Sequence, residues 1–283
     1  MKQVHFSLQN YNSYGIKATC REAVFPENID EIKHFLSDTS PFFIIGSGNN
    51  IILSKAHYDE RFLIFNDCFK KFEIEQNQVL KAQAGSELKK ISEFCAERGL
   101  SGFESFYDIP GSVAGAIVMN AGDANMEIKD ILIQVTVLNK ATLQIETKTT
   151  EELNLSYRNS LFQKNKDWVI LEAWFQLKPS DEKSVRNHMH KIKESRWIKQ
   201  PRTMPNAGSV FKRPKGFYAG KLIEDLGLKG YQIGDAAISE KHAGFIVNKG
   251  NATGQQIVEL IYYIREKVSN KYGIELEIEQ DII

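Results

Sequence analysis

The 283-residue chain balances 36 lysines and arginines against 36 aspartates and glutamates. It therefore has no net field to attract nucleic acid or an anionic membrane, and an anionic ligand must be held by local clusters. Three cysteines, Cys20, Cys68 and Cys95, have no short pairing interval, which favours a reducing compartment over a disulfide framework or a zinc site. Met1-Lys2-Gln3-Val4-His5-Phe6 lacks the apolar stretch of a signal peptide, and no run is long enough to span a bilayer, so a soluble cytoplasmic protein of two or three subdomains is expected.

Residues 11 to 66 read as a small α/β unit. Asn28 is placed to cap a helix whose apolar face is Ile29, Ile32, Phe35 and Leu36. A buried strand, Phe42-Phe43-Ile44-Ile45, leads into the loop Gly46-Ser47-Gly48-Asn49-Asn50, and Phe62-Leu63-Ile64-Phe65 is a second such strand. The loop resembles half of a dinucleotide fingerprint but is not one: a third glycine is missing, and Ile51-Ile52-Leu53 follows where a helix would open. Its consecutive N–H groups can form an anion-binding concavity without a helix. The plainer reading is an inter-strand loop.

Residues 67 to 180 read as a second, more β-rich unit. Ser86 is expected to cap a helix carrying Leu88, Ile91, Phe94 and Cys95, with Gly99 closing it. The small-residue run Ile109-Pro110-Gly111-Ser112-Val113-Ala114-Gly115-Ala116-Ile117-Val118-Met119-Asn120-Ala121-Gly122 follows. Such a run is costly to order, and close approach of a flat or phosphorylated ligand accounts for it better than a scaffold does. Strands are expected over Ile131 to Leu138, with alternating polarity, and over Trp168 to Leu177. Between them lies Tyr157-Arg158-Asn159-Ser160-Leu161-Phe162, where Arg158 is either a surface partner of Tyr157 or a planar donor for a carboxylate. Asp181 to Trp197 reads as a polar helix ending in Arg196-Trp197-Ile198-Lys199-Gln200-Pro201, whose cations suit the helix dipole or a diphosphate.

The last third opens with Asn206-Ala207-Gly208-Ser209-Val210-Phe211-Lys212-Arg213-Pro214. The glycine permits a tight or left-handed backbone, and the strand after it holds the Ser209 hydroxyl in a fixed direction, with cations nearby. Such a hydroxyl can donate a proton to an atom that becomes anionic, although serine beside glycine is also ordinary turn chemistry. A short helix carries Leu222, Ile223 and Leu226 and stops at Gly227, and Gly244 to Asn248 is strand-like. Thr253 and Gln256 form a capping box for a helix with Ile257, Leu260, Ile261, Ile264 and Val268 on one face, ended by Gly273. The alternating tail Ile274 to Ile283 is expected to be one strand with its glutamates on one face, Glu275 among them as a solvated carboxylate.

Taken in order, these motifs resemble the UDP-N-acetylenolpyruvoylglucosamine reductases, flavoenzymes of bacterial cell-wall precursor synthesis. The resemblance runs through Asn12-Ser13-Tyr14-Gly15-Ile16, Gly46 to Asn50, Ile109 to Ser112, Asn120 to Gly122, Tyr157 to Ser160 and Asn206 to Phe211. It continues through Ala219-Gly220-Lys221-Leu222-Ile223, Gly227-Leu228-Lys229-Gly230, Lys241-His242-Ala243 and Leu276-Glu277-Ile278-Glu279. Each motif alone is weak; the ordered set covers nearly the whole chain.

The resemblance implies an α+β protein: a two-part FAD-binding fold of the vanillyl-alcohol-oxidase type, then a smaller α+β substrate-binding domain. The first FAD-binding subdomain would span 1–58, completed by a C-terminal strand at 274–283, the second 59–200, and the substrate domain 201–273. NADPH would reduce a non-covalently bound FAD, and the reduced flavin would pass a hydride to the enolpyruvyl group of a UDP-sugar. Ser209 matches the family's general acid, and Arg158 and Glu279 match the pair that stabilises the enolic intermediate. Lys199 matches a substrate contact, with Tyr157 and Arg213 placed beside it. The flavin would lie against Gly46, Ser47, Gly48, Asn49 and Asn50, and against Ile109, Pro110, Gly111, Ser112, Gly115, Asn120, Ala121 and Gly122. A monomer without a metal, nucleic-acid or membrane partner is implied, and His242 reads as structural.

The chain also departs from the family pattern. Asp108 stands where a glycine often precedes the Ile-Pro-Gly motif, Ala114 precedes the family's second glycine, and the usual Gly-Ala-Tyr-Gly loop reads Gly122-Asp123-Ala124-Asn125. After Glu279 the common Val-Arg pair is Gln280-Asp281, which sets a carboxylate near the glutamate. The short segments from Arg158 to Lys199 and from Arg213 to Ala219 resemble the branch without an inserted tyrosine loop. Two other classes share these features: a flavin oxidase of the same fold, which often tethers FAD through a His or Cys absent from both glycine-rich segments here, and a non-catalytic nucleotide-sugar binder.

Overall fold

The computed structural model describes residues 1–65, 68–123 and 125–283; Ala124, part of the departing Gly122-Asp123-Ala124-Asn125 loop, lies outside the described residues. The chain divides into two compact units, one of Met1–Lys2, Ala23–Ser47 and Phe62–Ser195, the other of Gln3–Glu22, Gly48–Arg61 and Arg196–Ile283.

In the first unit Asn28 opens helix α1 (Ile29–Ser37) as expected, its side chain accepting from Glu31 N at 2.9 Å. That bond satisfies one of the orphan donors of the first turn, and Ile32, Phe35 and Leu36 face inward. The strand Phe42–Ile45 is only half-buried: Ile45 is enclosed and Ile44 is exposed. Helix α2 (Leu88–Glu97) buries Leu88, Ile91 and Cys95. Its N-cap is Glu87, without a side-chain bond, because the Ser86 hydroxyl instead donates to the Lys71 carbonyl at 3.2 Å. The expected Ser86 cap is thus replaced by a tertiary contact. Helix α3 (Val113–Val118), the short α4 (Leu161–Lys164) and α5 (Glu182–Lys199) follow, the last residues of α5 from Arg196 being counted with the second unit.

The centre of this unit is a five-stranded antiparallel sheet, ordered Ile145–Thr149, Leu132–Asn139, Trp168–Gln176, Val79–Gln83 and Phe72–Ile74. The alternation expected for Ile131 to Leu138 breaks at its end, where Val137 and Leu138 are both buried. Val137 packs into a core with Leu88, Ile91, Val113 and Phe175, and Leu138 into another with Ile32, Phe35 and Leu171. Two apolar neighbours can both be buried because successive strand residues point to opposite faces and each face here has its own cover.

In the second unit, Ala236–Ile238 pairs antiparallel with both Gln232–Ile233 and Ile246–Asn248. Helix α6 (Ala219–Asp225) ends before Gly227, and α7 (Gly254–Tyr272) begins with the expected box, Gln256 N to Thr253 Oγ1 at 3.2 Å and Thr253 N to Gln256 Oε1 at 3.0 Å. All five apolar residues foreseen on α7 are buried, and Gly273 ends it in a left-handed conformation. The C-terminal tail is not one continuous strand. Residues 277–279 bond to Val210–Lys212, and Asp281–Ile282 then pairs parallel with Ile51–Ile52. The ladder changes partner at Gln280. No helix among the described residues is long and apolar enough to cross a membrane.

Candidate functional site

In the first unit two predicted segments are joined. Ser112 caps α3, accepting from Gly115 N at 3.4 Å, and its hydroxyl would lie 2.6 Å from any Cβ placed on Gly46. Beside Ser47, the Gly46 backbone and the Ser112 hydroxyl therefore approach as only glycine allows. Pro110 and Gly115 are exposed. A Cβ at Gly111 would meet only Leu88 Cδ1, at 3.7 Å, and one at Gly115 only Ser112 Oγ, at 3.4 Å.

Asn120 is buried with φ +42°. Its amide donates to Glu127 Oε2 and the Ser156 carbonyl, each at 3.0 Å, and its oxygen accepts from Lys129 N. Asn120 is a hub holding its own turn, so its side chain serves the fold directly. Ala121 packs against the core beneath, and Gly122 pairs with Glu127 where a Cβ would strike the Met126 carbonyl.

Arg158 comes to this same turn. Its Nη2 donates to the Gly122 carbonyl at 2.8 Å and Nη1 to the Asn120 carbonyl at 3.5 Å, while its guanidinium lies 5.4 Å from the Tyr157 ring centre. Arg158 itself has φ +49°, a left-handed backbone that costs a non-glycine residue roughly 1–2 kcal/mol. Ser160 Oγ and Gln163 Nε2 bond the Val118 carbonyl, and Gln163 also bonds the Arg158 carbonyl, which fixes the loop from behind. Tyr157 is 48% exposed.

In the second unit Ser209 lies between two segments. It forms a bridge with Phe245, and Val210 N donates to the Gly244 carbonyl at 3.0 Å. On the other side Glu279 N donates to the Val210 carbonyl at 2.8 Å, and Phe211 bridges Ile278. The preceding turn is an Asx turn, with Gly208 N on Asn206 Oδ1 at 3.1 Å and Gly208 at φ +83°. Ser209 and Glu279 are thus drawn from distant parts of the sequence to adjacent positions in one backbone ladder. Asn50 Nδ2 donates to the Glu279 carbonyl at 3.1 Å, and Asn49 Oδ1 accepts from Ser13 Oγ. Gly48, at φ +69°, presses on Tyr11, so its glycine is required by the chain's own packing.

Arg213 is exposed with its guanidinium 4.4 Å from the Tyr218 ring centre, and Lys199 is exposed at the end of α5. Asp281, expected to bear on Glu279, is exposed in the pair with Ile51. His242 is engaged in contacts within the fold. Its Nδ1 accepts from Gly244 N at 3.0 Å, its ring packs on Phe245, and burial lowers its pKa. Sequence reasoning missed the partners of these residues, chiefly Gln163 behind Arg158 and the pair Tyr14–Gln280 behind Ser209. Tyr14 was the available signal, since a phenol in a buried motif needs a polar partner.

A family model described as "UDP-N-acetylenolpyruvoylglucosamine reductase, C-terminal domain" matches residues 200–283, and one described as "FAD binding domain" matches residues 21–147. The UDP-N-acetylenolpyruvoylglucosamine reductase of Francisella tularensis is 41% identical over 281 residues, covering 99% of both chains. That of Caldanaerobacter subterraneus is 38% identical over 280 residues, covering 98% of this chain and 91% of its own. Among solved structures, the reductase of that name from Thermus caldophilus aligns with a TM-score of 0.84 at 28% identity, over 100% of this chain and 98% of its own. The α+β class expected from sequence, an FAD-binding fold followed by a further domain, is borne out.

Proposed function

The chain belongs to the UDP-N-acetylenolpyruvoylglucosamine reductase family, and we propose that the glycine-rich segments above hold its flavin while Arg158, Ser209 and Glu279 carry the reduction of its substrate. The enzyme reduces the enolpyruvyl group of UDP-N-acetylglucosamine enolpyruvate to give UDP-N-acetylmuramate, with NADPH as reductant and FAD as cofactor, in peptidoglycan precursor synthesis. FAD supplies the two-electron chemistry that side chains lack.

The exposed backbone at Pro110 and Gly115 and the few atoms near Gly111 and Gly115 suit close approach of a flat dinucleotide. The reading assigns FAD to the backbone of Gly46, Ser47, Gly48, Asn49 and Asn50, to Ile109, Pro110, Gly111, Ser112 and Gly115, and to the Asn120-Ala121-Gly122 turn, without a covalent link. Arg158 carries a permanent charge on a guanidinium oriented by two carbonyls, suited to stabilising negative charge that builds on the substrate carboxylate. Ser209 Oγ then gives the proton that completes the reduction, and Glu279 acts beside it on the enolic intermediate. Tyr157, Lys199 and Arg213 are assigned to the nucleotide sugar.

We take residues 1–58 with 274–283, 59–200 and 201–273 as the functional parts, supported by the pairing of Asp281–Ile282 with Ile51–Ile52. In this reading the protein acts as a cytoplasmic monomer.

The observation that carries this reading is the turn at Ser209, anchored by backbone bonds to Gly244 on one side and Glu279 on the other. The test is Ser209→Ala followed by stopped-flow absorbance of each half-reaction. NADPH should bleach the flavin at nearly the normal rate, because that step needs no proton from Ser209. Re-oxidation by the enolpyruvyl substrate should slow by ~10²–10⁴-fold. Re-oxidation at the wild-type rate would mean that another group delivers the proton, Glu279 being the next candidate.

A further inference from the structure

Behind Ser209 lies a buried polar connection that the reaction does not itself require. Gln280 is 4% exposed and Tyr14 is fully buried. The Tyr14 hydroxyl donates to Gln280 Oε1 at 2.9 Å. Gln280 Nε2 points at three successive carbonyls of the serine's turn: Ala207 at 3.0 Å, Gly208 at 3.2 Å and Ser209 at 3.4 Å. Only this amide orientation works, because carbonyl oxygens accept but never donate, while the phenol supplies the proton that Oε1 accepts. Burial pushes the Tyr14 phenol well above its ordinary range, the Gln280 bond opposing the shift in part, so it stays a protonated donor.

We propose that Gln280 is a positioning residue for proton delivery, its amide clamping the carbonyls of Ala207, Gly208 and Ser209 and its own orientation set by Tyr14. Three oxygens facing one point repel one another unless donors lie between them. The two N–H groups of Gln280 supply that neutralisation and hold the backbone from which the Ser209 hydroxyl projects. A Cβ at Gly208 would meet nothing within 4 Å, so the restraint on the turn comes from hydrogen bonds and not from packing at that position. Asn206 holds the turn at Gly208 N, and Gln280 holds its carbonyls. Gln280 also follows Glu279 directly and lies where the tail changes pairing partner. One side chain therefore ties the position of the proposed acid to the strand bearing the proposed glutamate. The inference rests on the assignment of Ser209 as proton donor.

The test uses the full-length, FAD-loaded protein with Gln280→Met, which preserves side-chain length but removes both donors and the acceptor. Flavin reduction by NADPH should be nearly unchanged, and re-oxidation by UDP-N-acetylglucosamine enolpyruvate should slow by about 10–10²-fold, the scale of a small misplacement of a reacting group. In a Ser209→Ala background, the same substitution should add less than about twofold, because a positioning effect disappears with the group it positions. Tyr14→Phe removes a single oxygen and serves if Gln280→Met does not fold. It should slow re-oxidation several-fold, again only when Ser209 is present. Equal losses with and without Ser209 would make Gln280 and Tyr14 general stabilisers and overturn the proposal. So would wild-type re-oxidation in both variants while Ser209→Ala is slow, an outcome that leaves the proposed function intact. If Ser209→Ala re-oxidises normally, the assignment of Ser209 and the inference built on it fall together.

Discussion

Gly48→Ala separates a glycine needed by the fold from one needed by a ligand. Gly48 stands in the segment assigned to FAD, yet a Cβ there would overlap the Tyr11 carbonyl oxygen, lie 2.7 Å from its carbon and 3.1 Å from Asn12 Cα. Those atoms are backbone and cannot swing aside. The φ of +69° adds roughly 1–2 kcal/mol for a residue with a Cβ, and overpacking adds about 1–3 kcal/mol, so the total loss is about 2–5 kcal/mol. Gly208→Ala is the control, because Gly208 has φ +83° but no atom within 4 Å of an added Cβ. It should lose only the backbone part, roughly 1–2 kcal/mol. Thermal unfolding of the two apoproteins should therefore place Gly48→Ala lower by about 2–12 °C, at roughly 2–4 °C per kcal/mol. If Gly48→Ala apoprotein melts with the wild type and differs only in FAD uptake, the steric reasoning is wrong and the glycine serves the ligand.

Arg158→Lys keeps the charge but cannot span the carbonyls of Asn120 and Gly122; stopped-flow should show re-oxidation slowed by about 10²-fold with flavin reduction far less affected, and equal loss of both steps would indicate a purely structural role. The pKa of His242 is lowered first by burial and then by Lys229, with a backbone bond and Glu224 opposing. Below the ordinary histidine value of about 6.5 the unfolded chain takes up a proton before the folded protein does, so stability is lost as pH falls from there toward the folded-state pKa. Melting temperature measured from pH 8 to 5 should fall more steeply for wild type than for His242→Gln, and parallel curves would remove His242 from the pH dependence. Burial raises the Cys20 thiol to about 11 and the Cys95 thiol to about 12. Maleimide at pH 7 should therefore leave both unlabelled in the native protein and label all three cysteines after denaturation, as read by mass spectrometry.

Local patterns in the chain were enough to define features that depend on neighbouring residues. The Asn28 cap, the Thr253–Gln256 box, the apolar face of α7 and the stop at Gly273 each follow from side chains within a turn of one another. The order of the glycine-rich segments and of the Arg158, Ser209 and Glu279 motifs was likewise readable, because a shared linear pattern identifies a family without coordinates. Three other points required tertiary structure. Ser86 lost its capping role to the distant Lys71 carbonyl, a competition that cannot be seen in either segment alone. The tail alternates as if it were one strand, but Glu277 accepts from Lys212 N and Glu279 donates to Val210, while Asp281 and Ile283 donate to Asn50 and Ile52, so available partners, and not periodicity, set where its ladders end. Asn120 and Gln280 are buried amides, and a buried amide must find partners wherever the fold brings them. Those of Gln280 lie across the full length of the sequence, at Tyr14 and at Ala207 to Ser209. Residue type announced the need for such partners, and only the folded chain could decide which residues met it.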